Sequence, residues 1–235
     1  MSVGTTAREQ IMRSIRDGLA RSAVIEAEHP LHQALPPRPR RPDPRTTASA
    51  VDGETAVITP TAAFRAKMEA VGGRVAEVAN EDEAASVIAS LLGELGSRSV
   101  AVTDSPLAIT IGERLRELDA AELIHDATTD QLFHCDAGLT ESQWAIAETG
   151  SLVLASARER NRLASLVPPV HIALLRADNV RETIGDALTA ARAPDGSVPS
   201  HVITFITGPS RTSDIELTLA IGVHGPQILL VVIIP

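Results

Sequence analysis

The sequence predicts an α/β domain built on a mostly parallel sheet. Three observations carry that reading. From about residue 55 onward, short apolar runs alternate with segments of helical periodicity. The runs Val202–Ile206 and Ile228–Ile234 are apolar and rich in β-branched residues, as strands buried on both faces should be. The length, 235 residues, allows one large core with an appendage.

The elements follow in order. Thr6-Ala7-Arg8-Glu9 has the spacing of a capping box, and Ile11, Ile15 and Leu19 continue it at helical intervals, predicting a helix that ends near Glu28. Pro30 opens a segment with six prolines through Pro44, interleaved with Arg38, Arg40, Arg41 and Arg45. Such a segment cannot build a helix or a central strand and reads as an extended linker. The chain therefore divides into an N-terminal helix with a Pro/Arg-rich linker (1–50) and an α/β domain (51–235). In the domain, Phe64–Val71 reads as a helix stopped by Gly72-Gly73, and Arg74–Ala79 as a strand. Asn80 to Glu83 repeats the capping spacing and starts a helix through Leu95. Ser99–Thr103 reads as a buried strand and Pro106–Leu118 as a helix. Ala145-Ile146 leads into the turn Glu148-Thr149-Gly150 and the strand Ser151–Ala155. Pro169–Leu175 reads as a strand and Asn179–Ala191 as a helix, before the two apolar runs already named.

Composition excludes several functions. Residues 1–50 hold eight Arg against five Asp/Glu, +3; residues 51–235 hold 13 Lys/Arg against 25 Asp/Glu, −12. An acidic domain repels phosphate backbones, and one Trp, three Phe and no Tyr give no stacking platform, so nucleic acid is not an expected partner. The single cysteine, Cys135, cannot form an intrachain disulfide or hold an iron–sulfur cluster alone. No apolar run approaches the length of a membrane span and no secretory leader is visible, so a cytoplasmic location is expected.

The densest polar stretch is Gly208-Pro209-Ser210-Arg211-Thr212-Ser213-Asp214, with Glu216 close behind. Glycine admits close backbone approach, the hydroxyls supply donors, and Arg211 offers a fork suited to a carboxylate or phosphate. Arg211 paired internally with Asp214 and Glu216 is the alternative. A loop placed after the Val202–Ile206 strand is expected at the carboxyl ends of a parallel sheet, where such folds bind ligands. Gly222-Val223-His224-Gly225-Pro226 precedes the last strand; His224 is suited to carry a proton or donate to an anion, or to hydrogen-bond within its turn. Glu148 is placed to act as base or nucleophile, or to cap a neighbouring turn. His134-Cys135-Asp136 has poor geometry for joint ligation of a metal, and neither a P-loop nor a GxSxG elbow is present.

Three blocks make the chain resemble the LutC/YkgG group of lactate-utilisation proteins, the LUD domain family. They are Ala145-Ile-Ala-Glu-Thr-Gly-Ser-Leu-Val-Leu-Ala155, Leu166-Val-Pro-Pro-Val-His171, and Gly208-Pro-Ser-Arg-Thr-Ser-Asp-Ile-Glu216 with Gly222-Val-His-Gly-Pro226. The resemblance covers roughly residues 55–235. It implies a Rossmann-like fold, like that of ribose-phosphate isomerase and the CoA-transferases (NagB/RpiA/CoA-transferase-like). It further implies a place in L-lactate oxidation to pyruvate beside iron–sulfur partner proteins, this chain being the subunit without clusters and binding no cofactor itself. Carried onto this sequence, the candidates are Glu148 and His224 for chemistry. Thr149, Gly150, Gly208, Ser210, Arg211, Thr212 and Asp214 are the candidates for binding a small carboxylate or other anion. Glu148 stands where the family more often has Asp, which favours capping or binding over nucleophilic attack. The alternatives are a stand-alone CoA-transferase-like or sugar-phosphate-isomerase-like enzyme using Glu148, and a purely structural assembly module.

Overall fold

A computed structural model describes residues 58–157, 161–193, 195–212, 220–221 and 225–235. The helix and proline-rich segment read in residues 1–50 lie outside these residues, as do Ser213, Asp214, Glu216, Gly222, Val223 and His224.

Six parallel strands form the central sheet: β1 (Arg74–Glu77), β2 (Ser99–Val102), β3 (Glu122–His125), β4 (Ala137–Ser142), β7 (Val170–Arg176) and β12 (Ile228–Ile234), in the spatial order β1-β12-β7-β4-β2-β3. A smaller mixed sheet has the order β8-β5-β6-β9, from β5 (Trp144–Ile146), β6 (Ser151–Ala155), β8 (Val180–Arg181) and β9 (Ile203–Ile206). The pair β10 (Arg211–Thr212) and β11 (Ala220–Ile221) is antiparallel.

Helices cover both faces of the central sheet. On one face, α2 (Glu81–Leu95) and α3 (Pro106–Glu117) bury Ile88, Leu92, Ile111 and Leu115 against Leu139, Ile172, Leu174 and Val232. On the other, α1 (Pro60–Ala70) sends Phe64 and Met68 into a core shared with β6, β7 and β12. The outer face of the mixed sheet packs Trp144 and Val153 against α5 (Ile184–Ala190). A small cluster joins α4 (Thr129–His134) to the 3-10 turn Arg162–Ser165, with Cys135 buried among Ala101, Leu132 and Ala164.

Local chemistry accounts for the boundaries. Thr59, Asn80, Ser105, Thr128 and Thr183 each accept a backbone N–H of the helix they start. Asn80 takes the Glu83 N–H at 2.9 Å, while the Glu83 carboxylate reaches back to the Ala79 N–H at 2.8 Å, a capping box displaced by one residue. Gly96 ends α2 at φ +65, and Pro106 opens α3 at a position where its missing N–H has no helical partner to lose.

The structure departs from the sequence reading in three places. The segment 179–191 is not one helix: a 3-10 turn (Ala177–Asn179) and the short β8 precede α5. Val202–Ile206 is not a fully buried strand: β9 is an edge of the mixed sheet, and Phe205 is 41% exposed. Finally β3, α4 and β4 were not anticipated, although β4 is central to the main sheet.

Candidate functional site

The loop after Ile206 lies elsewhere than the expected carboxyl ends of a parallel sheet. Its strand belongs to the mixed sheet, and the loop faces His171 and Leu229 near the amino ends of β7 and β12. There a cleft of about 240 Å³ opens between the two sheets. Its walls are Ser165 and Leu166, His171, Thr204–Ser210, Gly225-Pro226 and Leu229. None of these described lining residues is an acid, a lysine or an arginine.

Three close approaches shape the cleft. The chain at Gly138 is so near the turn Arg162–Ser165 that a Cβ there would lie 1.9 Å from the Ala164 carbonyl oxygen. Only glycine lets that turn settle onto β4, which brings Ser165 and Leu166 beside His171. Gly208, at φ +88, rests on the C-terminal turn of α1, where a Cβ would meet Val71 Cγ2 at 2.8 Å. The Ser210 N–H donates to the Pro226 carbonyl at 2.8 Å, joining the two glycine-proline turns read in the sequence.

His171 is a cleft residue that is not among the candidates from the sequence. It stands in β7 opposite Gly138 of β4 and Leu229 of β12. Its Nε2 lies 2.9 Å from Thr140 Oγ1, while its Nδ1 is buried and has no hydrogen-bond partner among the described residues. Burial alone holds its pKa at about 3, well below the ordinary 6.5, so the ring is neutral at physiological pH. A histidine inside the otherwise apolar run Val170–Leu175 was the signal available in the sequence.

The other candidates are placed as follows. Arg211 is exposed and donates an N–H of its guanidinium to the Val71 carbonyl, at the C-terminal end of α1. That contact satisfies an otherwise unmatched helix-end carbonyl and places positive charge at the negative end of the helix dipole. It uses one of five N–H donors. Thr212 ends β10 and pairs with Ala220 of β11. Glu148 Oε1 accepts the Ile184 N–H at 3.0 Å, at the start of α5. Gly150, at φ +68, allows the Glu-Thr-Gly turn to lie against the α1 backbone at Lys67-Met68. Thr149 Oγ1 donates to Ser151 Oγ at 2.8 Å, and Ser151 Oγ lies 2.7 Å from Thr207 Oγ1. This hydroxyl chain links the Glu148 turn to the cleft wall, although Glu148 itself does not line it. In the His134-Cys135-Asp136 stretch each residue is engaged separately. His134 Nδ1 faces the Asp130 carbonyl oxygen at 2.7 Å, Cys135 is buried with its thiol pushed up by desolvation, and Asp136 accepts from Arg98 and Ser99.

At the carboxyl edge of the central sheet, Ser105, Glu141, Gln143, Arg176 and Asn179 line a hollow of about 390 Å³. Arg176 is committed there, ion-paired to Glu81 at 3.0 Å and donating to the Pro235 carbonyl at 2.9 Å. The inter-sheet cleft, by contrast, is lined by a residue whose buried Nδ1 has no partner among the described residues. It also collects the polar loop that the sequence marked, which makes it the stronger candidate.

Sheet order, flanking helices and inter-sheet cleft define a Rossmann-like α/β protein with a small-molecule-sized cavity. A crystal structure of a DUF162 family protein from Deinococcus radiodurans has the same fold, with a TM-score of 0.56 over 75% of this chain and 96% of that one, at 24% identity. The chain belongs to the LUD domain family, whose model matches residues 61–234. It is 32% identical over 158 residues to the uncharacterised protein YkgG of Escherichia coli, covering 64% of this chain and 68% of that protein. It is 35% identical over 117 residues to lactate utilization protein C of Bacillus licheniformis, covering 49% and 48%. An uncharacterised protein of Neisseria meningitidis matches at 40% identity over 106 residues, 45% of each chain. The matched segment spans about half the length of the Bacillus and Neisseria relatives. Among the described residues no helix is long and apolar enough to cross a membrane.

Proposed function

We propose that this chain takes part in lactate utilisation, as the cluster-free component of a system oxidising L-lactate to pyruvate, and that its inter-sheet cleft receives a small carboxylate. The observation that carries the first half is the likeness to lactate utilization protein C. The oxidation releases two electrons and two protons. A single cysteine cannot hold an iron–sulfur cluster alone, and in this reading the electrons pass to cluster-bearing partner proteins.

For the second half, the support is the cleft itself. A volume of about 240 Å³ suits a molecule of a few heavy atoms, and neutral donors on its wall can hold a carboxylate. Leu166, Phe205 and Leu229 would cover the carbon end. Arg211, one residue past Ser210, adds positive potential from the rim without entering.

Deleting the gene from the parent organism tests the role. Growth on L-lactate should be lost and growth on pyruvate kept, with co-purification of the tagged full chain recovering iron–sulfur proteins. A deletion strain that grows normally on L-lactate overturns the role. Calorimetric titration of the full chain with pyruvate and L-lactate tests the cleft separately.

A further inference from the structure

We infer that His171 is a ligand-binding residue of the cleft, presenting a neutral Nδ1–H to an acceptor oxygen of a small oxo- or hydroxy acid, with Thr140 fixing that tautomer. The inference rests on the carboxylate reading of the cleft and specifies how the ligand is gripped.

The argument is a count of hydrogens. Thr140 is 1% exposed, and its hydroxyl makes no hydrogen bond among the described residues other than the one to His171 Nε2. Suppose Nε2 carried the ring proton and donated it to Thr140. The Thr140 hydroxyl hydrogen would then be buried without an acceptor, and Nδ1 would be buried without a donor. Two polar groups would go unmet. If the Thr140 hydroxyl instead donates to Nε2, both of those atoms are satisfied. The ring proton then sits on Nδ1, and one group alone is unmet.

That remaining group is an N–H donor on a residue 1% exposed, in the wall of a cavity. Buried polar atoms without partners are uncommon and call for a missing one. An incoming oxygen, carboxylate or carbonyl, supplies it. The Ser165 hydroxyl, which donates to the Arg162 carbonyl at 2.8 Å, makes no hydrogen bond to Nδ1, nor does any other group among the described residues. Because Nδ1 is buried, the cleft side chains over it must shift for a ligand oxygen to reach it. The donor is oriented by Thr140 and by the strands on either side of β7. It is also uncharged: no acid, lysine or arginine lines the cleft among the described residues, and burial opposes protonation of the ring.

The test uses the full chain with ¹⁵N-labelled histidine, and pyruvate and L-lactate as probes. In the free protein, His171 should show the Nδ1–H tautomer, and Thr140→Val should mix the tautomers. Binding should shift the Nδ1–H signal, and affinity should stay flat between about pH 5 and 8 because a neutral donor does not titrate there. His171→Phe should weaken binding about ten- to a hundred-fold, the value of a hydrogen bond to a charged group. His171→Asn, whose amide puts an N–H near the Nδ1 position, should stay within about threefold of the parent. Thermal unfolding confirms that each variant is folded. An Nε2–H tautomer, or pyruvate and lactate binding that leaves the His171 signals unmoved, overturns the inference and leaves the carboxylate reading standing. Absence of binding by either acid overturns both.

Discussion

Gly138 and Ala164 touch without room for a side chain: a Cβ on Gly138 would sit 1.9 Å from the Ala164 carbonyl oxygen. The obstacle is backbone, so no rotamer change relieves it. Gly138→Ala should therefore cost at least the upper end of the ~1–3 kcal/mol usual for overpacking. It should also lift Ser165 and Leu166 off the cleft. Urea unfolding measures the first effect, and ligand titration the second. An unchanged midpoint would show that the turn moves freely on β4.

Asp136 should govern the acid limb of stability. Its carboxylate is held below the ordinary range, first by the Arg98 N–H and then by the Ser99 hydroxyl and N–H, against a smaller cost of burial. A depressed carboxylate contributes its full stability above its unfolded value, about 3.9, and loses it as pH falls through the lower native value. Asp136→Asn should flatten that part of the pH–stability curve and lower stability at pH 7. A curve unchanged in shape contradicts the assignment.

His171 acts in a different window. Its native value is about 3 against 6.5 when exposed. Between those values the unfolded chain binds a proton that the native ring refuses, so stability is full above about 6.5 and declines as pH is lowered toward 3. His171→Asn removes the titrating group and should remove that slope, whatever its effect on absolute stability. Chemical denaturation from pH 7 to pH 4 reads the difference; equal slopes in the two proteins would refute it.

Much of this fold was legible because its strongest signals are local. Ile228–Ile234, Ser151–Ala155 and the Asn80 cap were read to the residue, since each depends on a continuous apolar run or a capping side chain. What escaped depends on distant partners. β4 reads Ala-Gly-Leu-Thr-Glu-Ser, a poor strand by composition, and it is buried only because β2 and β7 flank it. The glycine that weakens its signal is the one the turn at Ala164 requires. The site divides in the same way. Gly208 and Ser210, two candidates from the polar loop, line the cleft. The Arg211 contact with a carbonyl 140 positions away could not be read locally, nor could the pairing of His171 with Thr140.

Arg211→Ala should cost about 1 kcal/mol through loss of the hydrogen bond to the end of α1, visible as a lower unfolding midpoint. Its effect on anion affinity should be a few-fold and should vanish in high salt, because a rim charge acts through solvent. A loss of affinity as large as that of His171→Phe would mean that the guanidinium leaves Val71 to grip the ligand directly.

Glu148 presents the sharpest contrast with the isomerase and CoA-transferase alternative. One of its oxygens receives the first helical N–H of α5. Glu148→Gln keeps an acceptor oxygen and should leave growth on L-lactate intact, whereas Glu148→Ala should destabilise by roughly 1 kcal/mol, as lost caps do. Abolition of activity by Glu148→Gln in a folded protein would restore the carboxylate as a chemical group.

The grip of residues 208–211 on Val71 also has a temporal side. During synthesis α1 emerges long before Gly208 and Arg211, and β1 long before β12, its neighbour in the central sheet. Contacts of such long sequence separation form slowly, because the intervening chain must first be ordered. The cleft, whose walls include residues of β9, of β12 and of the chain between them, is thus among the last features to take shape. A growing chain would hold α1, β1 and the β2–β3 region before the cleft exists, and would close it only as β12 slots between β1 and β7.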